Sequence, residues 1–290
     1  MYEAAHESFM SKTEDSPVVG TASASAKTVS EVDEDVILRA ENVSKHYGGI
    51  VALENVSLSV HDNNVLAIVG DNGAGKSTFI NLLSGVIPAT GGSFHMRDPG
   101  SGQLENIVLD SPGKAKEAGI ETVFQGRALS GLHDAAENVF MGREPLQDGI
   151  SGKLLRRVDR DYMERKTIEA IESIGFGIDP GATVEELSGG QQQAIAVARA
   201  LVSDPRIVIL DEPTAEVSVE GSRKILDLIE RLQANGKTVI FITHNLEEVT
   251  EVADRVAILR QGNLVAELEN DGNIEREDLV GYMTGAIVQE

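Results

Sequence analysis

Residues 65 to 78 read Val65-Leu66-Ala67-Ile68-Val69-Gly70-Asp71-Asn72-Gly73-Ala74-Gly75-Lys76-Ser77-Thr78. The first five are apolar and predict a buried strand, and the last nine fit the pattern G-x-x-x-x-G-K-[ST] where a helix should begin. Its glycines let the backbone turn tightly and aim successive N–H groups at an anion. The stretch therefore predicts a polyphosphate site, with Lys76 at the β and γ phosphates and the Ser77 hydroxyl on Mg²⁺.

A second apolar run ends in two carboxylates, in the order Ile207-Val208-Ile209-Leu210-Asp211-Glu212. Asp211 closes the predicted strand and is placed to hold Mg²⁺ through water, because hard divalent cations prefer oxygen ligands. Glu212 follows it as a candidate general base. Paired acids after a strand also occur in solvated turns, and the phosphate loop in the same chain favours the catalytic interpretation.

A third motif lies between these two and reads Leu187-Ser188-Gly189-Gly190-Gln191-Gln192-Gln193. From Ser188 onward it opens a helix, where free N–H groups and the helix dipole favour an anion. The chain already has one phosphate loop, so a second phosphate site on the same chain requires a separate explanation.

With these motifs the chain resembles the nucleotide-binding subunit of an ATP-binding-cassette (ABC) transporter, from about Val36 to the C-terminus. The resemblance implies the α/β fold of P-loop NTPases, with a mostly parallel core sheet, an antiparallel β subdomain and a helical subdomain. Within the family the chain is most similar to the ATPases of bacterial and archaeal monosaccharide importers of the ribose, fructose or xylose type. This finer match is carried by the phosphate loop, by Asn138-Val139-Phe140-Met141-Gly142-Arg143-Glu144 and by Glu212-Pro213-Thr214-Ala215.

The resemblance also implies roles for residues whose own signal is weak. Glu212 matches the glutamate that polarises the attacking water, and His244 matches a histidine that touches the γ phosphate and supports that base. Gln125 matches the glutamine that joins the subdomains and senses both Mg²⁺ and the attacking water, so it is a candidate for catalysis and for the metal site. Tyr47 matches the aromatic residue that stacks on adenine, since its ring offers a flat apolar face. In isolation, a histidine at a strand end is more often structural than catalytic, and an ordinary strand-end tyrosine is the minor alternative for Tyr47.

For the third motif, the resemblance implies that Ser188, Gly189, Gly190 and Gln191 contact ATP held by the opposite subunit. The working unit is then a head-to-tail dimer with two ATP molecules between the chains; a homodimer is simplest, and a heterodimer stays open. The chain departs from the family after the acidic pair, where Ala215-Glu216-Val217-Ser218 replaces a pattern like Ser-Ala-Leu-Asp. This departure concerns communication between the two ATP sites rather than nucleotide binding.

The pattern of apolar residues divides the chain into a tail and one cassette. Residues 1–35 are polar and acidic without periodicity, which predicts a disordered tail, and residues 36–290 form the predicted domain, with a helical subdomain at about 126–200. Alternating strands and helices predict a parallel sheet covered on both faces. We expect strands at 36–42, 54–60, 65–69, 121–124, 207–211, 238–243, 255–260 and 263–268, and helices at 76–84, 160–174, 220–234, 246–252 and 276–283.

Composition narrows the class of protein further. No apolar run approaches the roughly 20 residues that span a bilayer, no N-terminal signal pattern is present, and the chain has no cysteine, so we expect a reducing compartment and neither insertion nor secretion. The formal charge of −22 disfavours nucleic acid and anionic lipid as partners. The first 35 residues carry −6, which leaves −16 on the remainder. A lysine-poor, acid-rich surface of this kind resembles that of proteins from salt-loving archaea.

We expect the motor subunit of an importer, on the cytoplasmic face of the cell membrane. ATP would close the dimer, closure would move transmembrane permease subunits docked near Gln125 to Glu144, and solute choice would lie in the permease and an extracellular solute-binding protein. Three alternatives stay open: an importer of a non-sugar solute, a soluble ABC ATPase of cofactor assembly of the iron-sulfur type, and a nucleotide-binding scaffold without turnover.

If the acidic surface is an adaptation to salt, ATPase activity should rise between low and molar KCl. The physical reason is that salt screens the repulsion among surface carboxylates. Phosphate release measured across a KCl series tests this expectation, and loss of activity on adding salt would contradict it.

Overall fold

The protein contains two β-sheets. Its structure, a computed structural model, describes residues 35–126, 128–147, 157–215 and 217–288. The predicted tail, except for Asp35, and Glu216 lie outside the described residues. The predicted boundary between tail and domain therefore stays a prediction.

The larger sheet has six strands in the order β10-β9-β3-β8-β7-β6. All neighbours pair in parallel except β10, which is antiparallel to β9. The central strands are continuous apolar runs with every residue buried in β3 and β8, as expected for parallel strands covered on both faces. The strands are β3 Val65–Val69, β6 Ile120–Val123, β7 Ile207–Asp211, β8 Thr238–Ile242, β9 Arg255–Arg260 and β10 Asn263–Glu269.

The smaller sheet is antiparallel, in the order β2-β1-β4-β5. Its strands are β1 Val36–Tyr47, β2 Ile50–His61, β4 Gly91–Arg97 and β5 Leu104–Ile107. We expected β1 to end at Asn42, but Asn42 has φ +49° beside a register shift, and this bulge lets the strand continue. Neither β4 nor β5 was expected, because β4 begins with two glycines and β5 has only four residues.

The described helices pack around the larger sheet. Five of them were predicted with a first and a last residue, and each observed end lies within one residue of the predicted one. They are α1 Lys76–Leu83, α2 Pro112–Glu117, α3 Ala135–Phe140, α4 Arg160–Ser173, α5 Gly189–Leu201, α6 Val219–Ala234, α7 Leu246–Val252 and α8 Arg276–Thr284. Between β6 and β7 the described residues contain α3, α4, α5 and a 3₁₀ turn at Val184–Glu186, and no strand. The predicted fold class, with parallel, antiparallel and helical parts, is confirmed.

β3 separates two hydrophobic cores because successive side chains of a strand point to opposite faces. Val65, Ala67 and Val69 belong to the core shared with α3 to α8, whereas Leu66 and Ile68 belong to the core shared with α1 and the antiparallel sheet. The strand is thereby held on both sides, and the loop that follows it starts from a rigid support. No described helix is long and apolar enough to cross a membrane.

Candidate nucleotide-binding and catalytic site

The loop between β3 and α1 has a backbone that only glycine fits at two positions. Gly70 has φ +151°, and a Cβ there would lie 2.2 Å from the carbonyl oxygen of Leu259. Gly75 has φ +107°, and a Cβ there would lie 2.6 Å from Leu53 Cδ2. The loop is therefore wedged between the end of β9 and the antiparallel sheet, with its glycines required by space as well as by φ.

The N-terminus of α1 is open to an anion. Gly75 is the N-cap, and in this described segment no side chain caps the helix and its first turn carries no acidic residue. Asp71, Asn72, Gly73 and Ser77 are exposed around this end, whereas Ala74 and Lys76 are buried and Thr78 is half-buried. Unsatisfied N–H groups at a helix N-terminus bind phosphate well, so the residues present fit a polyphosphate.

Lys76 turns back onto its own loop. Its Nζ donates to the carbonyl oxygens of Gly70 at 2.6 Å and Asp71 at 3.1 Å. Burial lowers the pKa of this ammonium group, while the carboxylates of Glu212, Asp71 and Asp211 act in the opposite direction. A phosphate group at the loop would favour the charged form in the same way as these carboxylates.

The Glu212 carboxylate lies between the side chains of Gln125 and His244. Gln125 Nε2 donates to Glu212 Oε2 at 3.3 Å, and His244 Nδ1 lies 3.7 Å from Glu212 Oε1. The three residues follow the carboxyl ends of β6, β7 and β8, which are adjacent in the sheet. Glu212 itself has φ +46°, and its backbone N–H donates to Ile242 O at 3.0 Å. The structure thus brings together the three residues that the sequence nominates for catalysis.

Asp211 lies beside this group at the last position of β7. Its burial and the neighbouring Glu212 carboxylate raise the pKa of Asp211, against the opposing effects of Lys76 and a hydrogen bond from the Gln125 backbone. Two adjacent, half-buried carboxylates favour a cation, and their oxygens suit Mg²⁺. The described residues contain no cluster of three or more metal-ligating His, Cys, Asp or Glu side chains. A Mg²⁺ ion here would take most of its ligands from phosphate and water, as this ion commonly does.

A small cleft joins the catalytic cluster to α5. Its lining includes Gln125, Asp211, Glu212 and, from the fifth position of α5, Gln193. Gln193 is 5% exposed, and the sequence analysis gave it no role within the third motif. The helix that starts at the third motif therefore also borders the catalytic cluster.

The third motif caps α5 with its own side chains. Ser188 is the N-cap; its Oγ accepts from Gln191 N at 3.4 Å, and Gln191 Oε1 accepts from Ser188 N at 3.0 Å. Gly189 and Gly190 lie with them along a separate cleft, which α6 borders on the other side. Among the described residues that line this cleft, none belongs to the phosphate loop. The cleft at the third motif therefore does not include the phosphate loop of the same chain.

Ser218, which stands where the family pattern has an acid, caps the start of α6. Ser218 is the N-cap of α6, and its Oγ accepts from Gly221 N at 3.2 Å. Serine and aspartate are both good N-caps, so the serine keeps this helix start while removing a negative charge.

Tyr47 stands at the end of β1 and is 47% exposed. Lys45 Nζ lies 5.1 Å from the ring centroid and donates to Pro88 O at 2.7 Å. Neighbouring Ile50 and Val51 are also exposed, so the hairpin presents an apolar surface that includes this ring.

Two further residues connect α5 to the loop after Gln125, and the sequence analysis gave neither of them a role. Asn138 in α3 is completely buried, and its amide group bonds the backbone of Ser130 through both its oxygen and its nitrogen. Arg199 near the end of α5 donates to Asn138 O at 2.8 Å and to Ala128 O at 3.0 Å. The available signal for Asn138 was its place among mostly apolar residues in the segment Ala135–Phe140. Arg199 offered none, since one arginine late in a helix is ordinary.

Comparison with known proteins gives one family. A sequence profile described as ABC transporter matches residues 53–215. The fructose import ATP-binding protein FrcA of Rhizobium meliloti is 39% identical over 87% of this chain and 95% of its own length. A ribose import ATP-binding protein, RbsA 1 of Rubrobacter xylanophilus, is 35% identical over 88% of this chain. The chain spans 48% of that ribose protein.

Solved structures of similar fold are ATP-binding cassettes. The ADP conformation of a cassette from an ABC transporter has a TM-score of 0.70 at 27% identity, covering 86% of this chain and 95% of that one. A dimeric cassette in a post-hydrolysis state, bound to ADP and Pi, has a TM-score of 0.65 at 27% identity, covering 81% and 99%.

The raised pKa of Asp211 predicts a gain in stability on neutralisation. A carboxyl group whose folded pKa lies above its unfolded value stabilises the fold only while protonated, and this contribution is lost as pH rises through the folded pKa. At neutral pH, Asp211→Asn should therefore raise the thermal unfolding temperature of the nucleotide-free protein while reducing the further rise produced by ATP with Mg²⁺. The control is Glu230→Gln, an exposed acid in α6 outside both described clefts, and it should change neither quantity. A lower unfolding temperature for Asp211→Asn would contradict the prediction.

Proposed function

The chain belongs to the ABC transporter family, and on that premise we propose that it is the ATP-hydrolysing subunit of an importer for a monosaccharide. One observation supports the catalytic part: the Glu212 carboxylate lies within reach of both Gln125 and His244, and its charge acts on Lys76 of the phosphate loop. The sugar rests on the names of the relatives, of which the fructose import protein is matched over nearly its whole length.

Nucleotide binding is assigned to the loop and to the hairpin. The N–H groups of Gly70 to Thr78 and the Lys76 ammonium bind the phosphates, and the half-exposed Tyr47 ring stacks on adenine. Ser77 and Asp211 are the oxygen donors for Mg²⁺, with Asp211 acting through water and Gln125 beside it. When bound, Mg²⁺ neutralises charge that develops on the phosphates. The raised pKa of the half-buried Asp211 carboxyl supports this assignment, because a cation there would offset both its burial and the neighbouring Glu212 charge.

Hydrolysis is assigned to the residues at the three strand ends. Glu212 polarises the attacking water as the general base, and His244 and Gln125 hold its carboxylate from two sides. The aligned strand ends put these groups in place before substrate arrives, which reduces the reorganisation needed during the reaction.

The third motif is assigned to the ATP of a second copy. Ser188 to Gln191 line a cleft of their own, apart from the described loop that binds the chain's own phosphates. A head-to-tail homodimer with two ATP molecules between the chains gives this motif a ligand, and a cassette of similar fold has been solved as a dimer.

The permease is assigned to the surface between Gln125 and Glu144. This surface carries Leu132, 85% exposed, and Met141, 41% exposed, which are apolar groups suited to a protein partner. The relatives are named import ATP-binding proteins, which supports a place at the cytoplasmic face of the membrane, with an extracellular solute-binding protein acting through the permease. Salt adaptation of the acidic surface remains part of this proposal.

The Glu212→Gln variant should bind ATP with wild-type affinity and lose about 10²-fold to 10⁴-fold in turnover, because an amide cannot act as general base. Slow hydrolysis should trap the dimer, which light scattering with ATP and Mg²⁺ detects. The exposed Glu105→Gln, on β5, is the matched control and should behave as wild type. Normal turnover by Glu212→Gln would remove Glu212 as the base.

The trapped Glu212→Gln dimer also identifies the partner. Purified with ATP from gently solubilised native membranes in high salt, it should carry a multi-span permease, whose associated solute-binding protein leads to the sugar. Soluble assembly factors in place of a permease would favour a cofactor-assembly ATPase and contradict import.

A further inference from the structure

A buried carboxylate with no assigned role lies beside the catalytic cluster. Glu248, in the first turn of α7, is 6% exposed. Its Oε2 accepts hydrogen bonds from the hydroxyls of Thr243 at 2.8 Å and Thr214 at 3.0 Å. Thr243 directly precedes His244, and Thr214 lies two residues after Glu212. One oxygen atom therefore joins the two chain segments that carry the proposed base and its histidine.

Ordinary helix capping does not account for Glu248. The N-cap of α7 is Asn245, and a glutamate three residues later commonly accepts from the N-cap backbone N–H. Here that N–H donates to Thr243 Oγ1 at 3.0 Å, and the cap is completed by Asn245 Oδ1, which accepts from Glu247 N at 3.1 Å. Glu248 is thus directed out of its own helix, toward the end of β7.

The surroundings of Glu248 are polar but carry no matching charge. Besides the two hydroxyls, Asn245 Nδ2 donates to Glu248 Oε1 at 3.2 Å. In the part of the chain that the structure describes, no lysine, arginine or histidine forms an ion pair with this carboxylate. A buried acid is costly unless donors compensate it, and hydrogen bonds to an ionised acceptor are stronger than neutral ones. The two hydroxyl contacts are accordingly strong constraints on Thr214 and Thr243.

Glu248 contacts the segment from Glu212 to Thr214, whose backbone conformation at Glu212 is strained. Glu212 has φ +46°, a left-handed conformation that is unfavourable for a non-glycine residue and persists only where the surrounding structure holds it. Its N–H is anchored to Ile242 O at 3.0 Å on one side, and Thr214 is anchored to Glu248 on the other. Without the contact to Glu248, this segment keeps only its backbone bonds, which include Ala215 N to Glu212 O at 3.2 Å, and the backbone at Glu212 is less constrained.

We propose that Glu248 is a positioning residue for the Glu212–His244 pair. Its carboxylate fixes Thr214 and Thr243, and these fix the backbone from which the Glu212 and His244 side chains project. The inference rests on the proposed function, since it acts on the reaction through Glu212. It concerns turnover and not nucleotide affinity, because neither Thr214 nor Thr243 belongs to the phosphate loop.

The test is a split between turnover and binding in purified full-length protein. Glu248→Ala should lower kcat for ATP hydrolysis by roughly tenfold to a hundredfold, the cost of a misplaced catalytic group, with the Kd for ATP changed by less than about twofold. Glu248→Gln keeps an acceptor oxygen at the same reach and should recover most of the lost kcat. The matched control is Glu247→Ala, an exposed acid in the same turn, which should behave as wild type.

Three outcomes would overturn the inference: wild-type kcat in Glu248→Ala, an equal loss in Glu247→Ala, or a fall in ATP affinity that matches the fall in kcat. If Glu248→Ala does not fold, Thr214→Val removes only one hydroxyl donor at a half-buried site. It should lower kcat roughly threefold to tenfold at constant Kd, and unchanged kcat would count against the inference.

A crystal structure of Glu248→Ala, or of Thr214→Val if the alanine variant does not fold, separates this inference from the proposed function. If the wild-type chain does not hydrolyse ATP, the proposed function fails, but the positions of Glu212 and His244 are still readable. A separation clearly longer than the 3.7 Å of the intact pair supports the positioning role, and an unchanged pair overturns it.

Discussion

The parallel pairing of β3 with β8 and β9 is the constraint on which the rest of the molecule depends. Ile68 pairs with Ile242, and Val69 pairs with Ile258, so these strands end at one edge of the sheet. Parallel strands leave their carboxyl ends on the same side, which is where ligands bind in open α/β sheets. The phosphate loop and His244 leave the sheet from this edge because of that register.

The charged side chains at this edge reduce the stability of the folded, nucleotide-free protein. Burial lowers the pKa of Lys76 and raises that of Asp211, so each group is less readily charged than it would be in water. The opposite charges of these groups offset part of that penalty, but Asp211 and Glu212 also repel each other. A cation and a polyphosphate would supply the missing partners, and ligand binding should therefore stabilise the protein as well as begin the reaction.

Sequence reasoning was strongest where a local rule determines the structure. The apolar runs that become β3, β7 and β9 have the expected bounds, and the glycines at 70 and 75 stand where space and φ demand them. Sequence reasoning failed where contacts between residues distant in the chain determine the structure. β4 pairs with β1 despite its glycines, and Arg199 donates a hydrogen bond to Asn138, 61 positions away. Glu248 illustrates the same limit, because its hydroxyl partner Thr214 lies 34 positions away. No spacing rule connects such pairs, so the coordinates were needed to find them.

Helix α5 has a different kind of contact at each of its ends. Ser188 starts it at the cleft assigned to the second copy, and Arg199, near its other end, grips the loop that follows Gln125. Its 13 residues make a rod about 20 Å long, and a continuous helix transmits displacement with little bending. In the proposed dimer, this helix would connect the ATP of the second copy, at Ser188, to the loop after Gln125 beside the chain's own catalytic cluster. The rate at one ATP site would then depend in part on whether the other site is occupied, and a glycine in the middle of α5, which loosens a helix, would weaken that dependence.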